Sequence, residues 1–186
     1  DRAIEVHTDA SLTLKKLTLR GGRLGGFEAA GAGVRSDFAT LVIEDCDIRD
    51  NQSTFDYCYC YFDCGCLRQG IGGGVFAGGY VTIRNSRFLD NQSGSGGAVA
   101  LASVFSAALE NVELASNHAV VGGAAYVVDD TTVTFDGCDI HGNFADLVSG
   151  DFQGNAAGVK VSGSMAGSIL DVTFQDCSIR DHHTDG

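Results

Sequence analysis

The chain has 186 residues, a formal net charge of −12 and no proline or tryptophan, but 26 glycines and 7 cysteines. So acidic a balance argues against a nucleic-acid partner, because the basic surface that neutralises phosphates is missing. The sequence contains no signal peptide and no apolar run long enough to span a bilayer, so we expect no membrane insertion. Residue 1 is Asp rather than Met, and we therefore expect a processed product or a piece of a longer chain.

An eleven-residue pattern recurs six times and dominates the sequence. It reads apolar-x-apolar-x-x-(Cys or small apolar)-x-apolar-x-x-Asn, with copies starting at residues 12, 41, 81, 107, 133 and 172. The clearest copies are LVIEDCDIRDN, VTIRNSRFLDN and VTFDGCDIHGN. Apolar residues at alternate positions indicate half-buried strands, and recurrence at steps of 26 to 40 residues indicates stacked units. The absence of proline agrees, since an interior strand needs every N–H in its ladder.

Aligning the copies places like residues above like residues in vertical columns, as in a parallel β-solenoid. The columns are Leu14, Ile43, Ile83, Leu109, Phe135 and Phe174; Leu19, Ile48, Phe88, Leu114, Ile140 and Ile179; and Leu17, Cys46, Ser86, Val112, Cys138 and Cys177. No segment shows a sustained helical period. We therefore predict one all-β domain over residues 1–186, with about six coils and two insertions.

Two further motifs mark the corners of the predicted coil. The eleventh column contains Asn51, Asn91, Asn117 and Asn143, and inward amides there can donate and accept hydrogen bonds along the stack. The second motif comprises the small residues of Gly96–Val99 and Gly122–Ala125, with looser copies at 72–75 and 156–159. We expect these residues to turn the chain tightly and to begin the third strand of each coil.

The Gly-Gly-Ala-apolar and Phe-x-x-Asn signals resemble the repeat of the polymorphic outer-membrane protein family. The matching residues include Phe88–Asn91 and, with Ile or Leu for Phe, residues 48–51, 114–117 and 140–143. The resemblance spans roughly residues 31–182. It implies a right-handed parallel β-helix, an extracellular or cell-surface location and an adhesive or structural role, without a transferable catalytic residue.

The cysteines form two groups with different expected roles. Cys46, Cys138 and Cys177 occupy the inward sixth position, where we expect small buried hydrophobes, with a Cys138–Cys177 bond as the alternative. The other four lie in an insertion over residues 52–70. Folding that insertion as a hairpin places Cys60 opposite Cys64 and Cys58 opposite Cys66. Two disulfides are preferred over a four-thiolate metal site, because the spacing is not a usual zinc spacing; three connectivities remain open.

Both insertions, 52–70 and 144–155, are expected to leave one edge of the rod about 14 Å apart, three rungs at ~4.8 Å each. Their aromatic side chains either shield the flank of the solenoid or form a platform for a glycan or a lateral contact. These candidate contact residues are Phe55, Tyr57, Tyr59, Tyr61, Phe62, Phe144 and Phe152.

Metal and catalytic sites are weakly indicated. We predict no cofactor, with calcium as a lesser alternative at three carboxylate clusters, none of which has the spacing of a calcium loop. These clusters are Asp45, Asp47 and Asp50; Asp129 and Asp130; and Asp171, Asp176 and Asp181. The five histidines, at positions 7, 118, 141, 182 and 183, join no repeat column in this interpretation.

We therefore predict a non-enzymatic extracellular structural or adhesive module, either self-assembling head to tail into a filament or forming part of a longer surface protein. The alternatives are a glycan-binding module and a polysaccharide lyase or hydrolase, the latter by analogy of fold alone. An ice-binding surface would need a flat regular threonine array, and Thr131, Thr132 and Thr134 form only a local cluster.

Overall fold

The computed structural model describes residues 1–26, 29–60, 64–129, 131–146, 156–163 and 170–184. For residues 55–60 and 64–69 the description covers the backbone only. The chain winds through six coils that contribute to three parallel sheets, one of nine strands and two of six. This is the predicted right-handed parallel β-helix. The described residues contain no helix, and so none that could cross a membrane.

Each coil contributes three or four parallel strands to the solenoid. Coil 1 contains β1 (Ile4–Val6), β2 (Ser11–Lys15), β3 (Thr18–Arg20) and β4 (Arg23–Leu24). Coil 2 contains β5 (Val34–Glu44), β6 (Asp47–Arg49) and β7 (Gln52–Ser53), followed by a hairpin of β8 (Phe55–Cys60) and β9 (Cys64–Gln69). Coil 3 contains β10 (Val75–Arg84), β11 (Arg87–Leu89) and β12 (Gln92–Ser93). Coil 4 contains β13 (Val99–Glu110), β14 (Glu113–Ala115) and β15 (His118–Ala119). Coil 5 contains β16 (Ala125–Val128), β17 (Thr131–Asp136), β18 (Asp139–His141) and β19 (Phe144–Ala145). Coil 6 contains β20 (Val159–Ser162), β21 (Leu170–Gln175), β22 (Ser178–Arg180) and β23 (His183–Thr184).

The core consists of the predicted apolar columns. Ile83 pairs in register with Ile43 on one side and Leu109 on the other, and all three are fully buried. The same column ends in Phe135 and Phe174, whose rings stack with centroids 4.7 Å apart and planes inclined by 9°. Period-two alternation directs each such side chain into the coil, and the backbone ladder sets the spacing between coils.

At two corners of each coil the backbone is left-handed, and Asp, Asn and Gly recur there from coil to coil. Each coil turns sharply where the backbone adopts positive φ, which Asp, Asn and Gly tolerate better than other residues. One corner comprises Lys16, Asp45, Asn85, Asn111, Gly137 and Asp176, with φ from 47° to 61°. A second comprises Gly21, Asp50, Asp90, Ser116, Gly142 and Asp181, with φ from 54° to 75°. Five of the 24 acidic residues, Asp45, Asp50, Asp90, Asp176 and Asp181, therefore lie at these corners.

The Gly-Gly motif lies where one coil meets the next. We expected it to begin a third strand, but β13 runs from Val99 directly into the eleven-residue pattern, so the motif begins the long first strand. The short strands that follow the asparagines supply the third sheet instead. The second glycine is required because a Cβ at Gly123 would overlap the backbone oxygens of Phe144 and Ala157.

A further corner bends the long first strands. Its left-handed residues are Asp9, Phe38, Gly79, Ser103 and Asp129, with φ from 52° to 89°. Gly and Asp are tolerated at such a corner, whereas a bulky residue there is an outlier at a cost of about 1–2 kcal/mol. Phe38 therefore adopts a strained backbone conformation.

The insertions begin later than predicted. Gln52 and Ser53 pair with Gln92 and Ser93 as part of the coil, so the first excursion starts after them. Phe144 and Ala145 likewise belong to the third sheet. A side chain buried in the coil, as Ser53 is, cannot belong to a protruding loop. Both excursions nevertheless leave from the same sheet, in coils 2 and 5.

Candidate functional site

The four predicted asparagines form a continuous buried ladder. Asn91 donates from its backbone N and its Nδ2 to Oδ1 of Asn117, at 3.0 and 3.1 Å. Asn117 donates from its Nδ2 to the Phe88 carbonyl of the preceding coil, at 2.9 Å. Asn51 and Asn143 repeat the arrangement. Each amide thus satisfies backbone groups that water cannot reach, so this column is a structural site.

His182 occupies the asparagine position of coil 6, which corrects the interpretation that no histidine joins a column. Its Nδ1 accepts a hydrogen bond from the backbone N of Asn143 at 3.3 Å, as an asparagine Oδ1 would. Its Nε2 is buried and has no hydrogen-bond partner among the described residues. His118 and His183 also share a column, with the Phe144 ring between them at 5.7 Å from each.

Protonation of His182 should weaken coil 6. Burial lowers the pKa of His182, and the neighbouring His141 and His183 lower it further, whereas Asp181 acts in the opposite direction. A lowered folded-state pKa favours the neutral ring, so its stabilisation is complete above the unfolded value of about 6.5 and is lost as the pH falls through the folded value. We expect His182→Asn to raise the free energy of unfolding by about 1 kcal/mol and to reduce its loss between pH 7.5 and 5. Urea unfolding of both proteins at each pH measures this; an identical pH dependence would contradict it.

The inward cysteines of coils 2 and 5 are buried hydrophobes with weak S–H donors, as predicted, whereas Cys177 of coil 6 is only half-buried. Cys46 and Cys138 are buried, and neither they nor Cys177 form a disulfide, so the alternative Cys138–Cys177 bond is not made. The Cys138 thiol contacts the Leu109 carbonyl at 3.3 Å and the Cys177 thiol the Phe135 carbonyl at 3.4 Å. Burial raises the pKa of Cys138 to about 11, which keeps the thiol protonated and unreactive.

The cysteine hairpin has the predicted antiparallel register. Cys58 pairs with Cys66 and Cys60 with Cys64 along the β8–β9 backbone. The structure describes only the backbone of these cysteines and of the candidate contact residues Phe55, Tyr57 and Tyr59. The candidate contact residues Tyr61, Phe62 and Phe152 lie outside the described residues.

Two of the predicted carboxylate clusters do not converge, because Asp45 and Asp50 lie at two different corners of coil 2, and Asp176 and Asp181 at the same two corners of coil 6. The third cluster includes Asp130, which lies outside the described residues. Among the residues that the structure describes, the group whose potential ligand atoms do converge is Glu5, His7 and Asp37, all within 4.8 Å of one another. Two arginines neutralise it: Arg2 lies 2.7 Å from Glu5, and Arg35 lies 2.7 Å from Asp37. We call these five residues the charged cluster. Sequence reasoning missed it because it joins coils 1 and 2 across 30 residues.

Three aromatic side chains form an exposed strip at the bend of the first strands. Phe38, Tyr80 and Phe105 lie in coils 2, 3 and 4 and are 52%, 56% and 60% exposed. The Tyr80 and Phe105 ring centroids are 5.3 Å apart. The Phe38 ring lies beside Gly78 of coil 3, two residues before Tyr80. We call these three residues the aromatic strip. Asp37 of the charged cluster directly precedes Phe38 in the sequence.

The two end coils leave apolar columns partly uncovered. In coil 6, Val161, Phe174 and Ile179 are 40%, 39% and 49% exposed, although their counterparts in coils 2 to 5 are buried wherever they are apolar. At the opposite end of the solenoid, in coil 1, Leu12, Leu17 and Leu19 are half-buried. The strands of both coils also present backbone edges without a further partner coil among the described residues.

A family model for the right-handed β-helix region matches residues 2–186 of the chain. No curated protein and no solved structure shows significant similarity to the chain.

Proposed function

Since the chain belongs to the right-handed β-helix family, we propose that it is a non-enzymatic structural module that extends by stacking coil 6 of one copy on coil 1 of the next. The observation that carries this proposal is the exposure of Phe174 and Ile179, which continue the core columns of Leu14 and Leu19. Covering these residues removes apolar surface from water, worth about 25 cal/mol per Å². The contact is head to tail and does not close, so it produces filaments.

The proposed junction is weaker than the contact between internal coils. Gly22 stands in coil 1 where coils 2 to 5 have asparagine, so it offers no side chain to the backbone of His182 in an adjoining copy. One step of the amide ladder is therefore missing at each junction. We expect association that depends on protein concentration and reverses on dilution.

A surface location and an adhesive role complete the proposal. The resemblance to the polymorphic outer-membrane protein repeat supports both. The cysteine hairpin supports an oxidising environment, because residues opposite each other in an antiparallel pair have Cα atoms about 4.5–5.5 Å apart, within disulfide range. Under this proposal Cys58 bonds Cys66 and Cys60 bonds Cys64. A polysaccharide lyase or hydrolase remains the alternative by fold analogy.

End-to-end stacking is tested by placing a charge on the coil 6 face. We expect Ile179→Lys to abolish the association that the parent chain shows in sedimentation velocity between about 1 and 100 µM, because a buried unpaired ammonium group would oppose the contact. Thr173→Lys is the matched control, since Thr173 lies on the outer surface of the same coil and should leave association unchanged. A parent chain that is monomeric throughout, or an Ile179→Lys variant that associates like the parent, would rule out the stacking.

A further inference from the structure

Coil 1 carries a positive charge although the chain as a whole is acidic. Its strands and corners, residues 4–24, contain four Lys and Arg and two Asp and Glu, a formal charge of +2 in a chain of −12. The corresponding residues of coil 6, 159–184, contain two Lys and Arg and three Asp, a formal charge of −1. Coil 5 beneath it, residues 125–145, contains four Asp and no Lys or Arg. The two end faces of the solenoid are therefore opposite in charge.

Within the chain, ion pairs between neighbouring coils join residues that lie in register. Lys15 of coil 1 is the strand partner of Glu44 in coil 2, and its Nζ lies 2.6 Å from Oε2 of Glu44. Arg84 of coil 3 is likewise the strand partner of Glu110 in coil 4, with 2.9 Å between Nε and Oε2. The position of a residue in its column therefore predicts which group it meets in an adjoining coil.

The left-handed corner after β2 places opposite charges on the two end faces. At this corner the side chains of successive coils reach each other, since Nδ2 of Asn111 donates to Oδ1 of Asn85 at 3.3 Å. The corner residue is Lys16 in coil 1 and Asp176 in coil 6, with φ of 53° and 50°. Both are exposed, and neither forms an ion pair within the part of the chain that the structure describes. In the register of the internal coils, Asp176 of one copy meets Lys16 of the next.

A second column also begins and ends with opposite charges. It starts at Glu5 in coil 1, runs through Arg35, and reaches Lys160 in coil 6 by strand pairing. Oε1 of Glu5 lies 3.9 Å from Nε of Arg35, so Glu5 already interacts with a cation along the stack. The junction would add Lys160 of the adjoining copy on its other side.

One column opposes this arrangement without preventing it. Arg180 ends the column that Arg20 begins, so the junction brings two guanidinium groups into register. Arg20 is already the strand partner of Arg49 within the chain, so this column tolerates like charges. Arg180 is also bound to both carboxylate oxygens of Asp139, at 2.8 and 3.1 Å.

We propose that the chain recognises a second copy of itself by charge, with Asp176 and Lys160 of coil 6 pairing with Lys16 and Glu5 of coil 1 in the adjoining copy. This inference rests on the proposed end-to-end stacking and adds to it the choice of partner face. Apolar burial supplies the strength of the contact, whereas complementary charge supplies its direction and register. Two coil 1 faces are both positive and repel each other.

Charge reversal at the corner pair tests the proposal. Lys16→Asp and Asp176→Lys each create a junction of like charges. In about 0.1 M salt, where charges interact over about 10 Å, we expect each variant alone to associate about tenfold more weakly than the parent in sedimentation velocity. Asp176→Lys makes the chain less negative, so greater overall repulsion could not explain its weaker association. Both substitutions introduce a residue that already occupies this left-handed corner in another coil.

An equimolar mixture of the two variants is the decisive sample. Every junction between unlike copies then joins opposite charges, so association should return to the level of the parent, which misfolded chains could not do. Asp90→Lys is the matched control, because it makes the same charge change at an exposed left-handed corner in the middle of the stack. It should associate like the parent.

The outcomes separate this inference from the stacking on which it rests. A parent that stays monomeric throughout would overturn both. If the parent associates and the two charge-reversal variants associate equally well, the charge pairing is overturned and the stacking stands. The same holds if the mixture associates no better than the separate variants, or if Asp90→Lys weakens association as much as Asp176→Lys does.

Discussion

Replacing Asn117 by leucine should lower the free energy of unfolding by at least ~3 kcal/mol, since each buried group left unpaired costs about 1–3 kcal/mol. The amide accepts from the backbone and side chain of Asn91 and donates to the Phe88 carbonyl and to Oδ1 of Asn143. Leucine fills a similar volume and so leaves no room for a compensating water. Urea unfolding followed by far-UV circular dichroism measures the loss.

Asn111→Gly is the matched control for the ladder. Asn111 is exposed, its φ is 52°, and Gly137 occupies the equivalent corner of coil 5. This variant also removes an amide but leaves no buried group unpaired, so we expect a change within about 0.5 kcal/mol. If the two variants lowered the free energy of unfolding equally, the buried amide ladder would contribute no more to stability than an exposed asparagine does.

Replacing Ile83 by aspartate should cost at least ~4 kcal/mol, because the carboxyl must be either buried as an unpaired charge or protonated at neutral pH. Ile83 is fully buried between Ile43 and Leu109 in the middle of the stack. The loss is of the order of the whole stability of an average domain, about 5–15 kcal/mol. The deficit relative to the parent should narrow at pH 4, where the neutral carboxyl forms more easily.

Thr82→Asp provides the comparison on the same strand. Thr82 faces outward between Val42 and Ala108, so a carboxylate there stays hydrated. We expect its unfolding midpoint to stay close to that of the parent. An Ile83→Asp variant that unfolds at the parent's midpoint would contradict the assignment of this column to the core.

The repeating parts of the fold could be predicted because they repeat. Ile43, Ile83 and Leu109 recur at one position of the pattern, and a column of like residues has one simple structural explanation. The asparagine column was predictable for the same reason. The hairpin register followed from the symmetric spacing of Cys58, Cys60, Cys64 and Cys66.

The features that differ between coils could not be predicted in this way. The long strands β5, β10 and β13 have 11, 10 and 12 residues, so Phe38, Tyr80 and Phe105 share no position in an alignment of the copies. The contact between Tyr80 and Phe105 follows from the register shift between coils 3 and 4 at Gly79, which pairs Gly79 with Val104 and Tyr80 with Ser106. His182 was overlooked because an imidazole was not expected to replace an amide, although its Nδ1 makes the same hydrogen bond.

Negative-stain electron microscopy of the parent chain at high concentration tests the central claim most directly. Six coils at ~4.8 Å each predict thin fibres with an axial repeat of about 29 Å. If coil 6 stacks on coil 1, the parent and the Thr173→Lys variant should both form such fibres. The Ile179→Lys variant should form none. Discrete particles of a single coil stack at every concentration would contradict it.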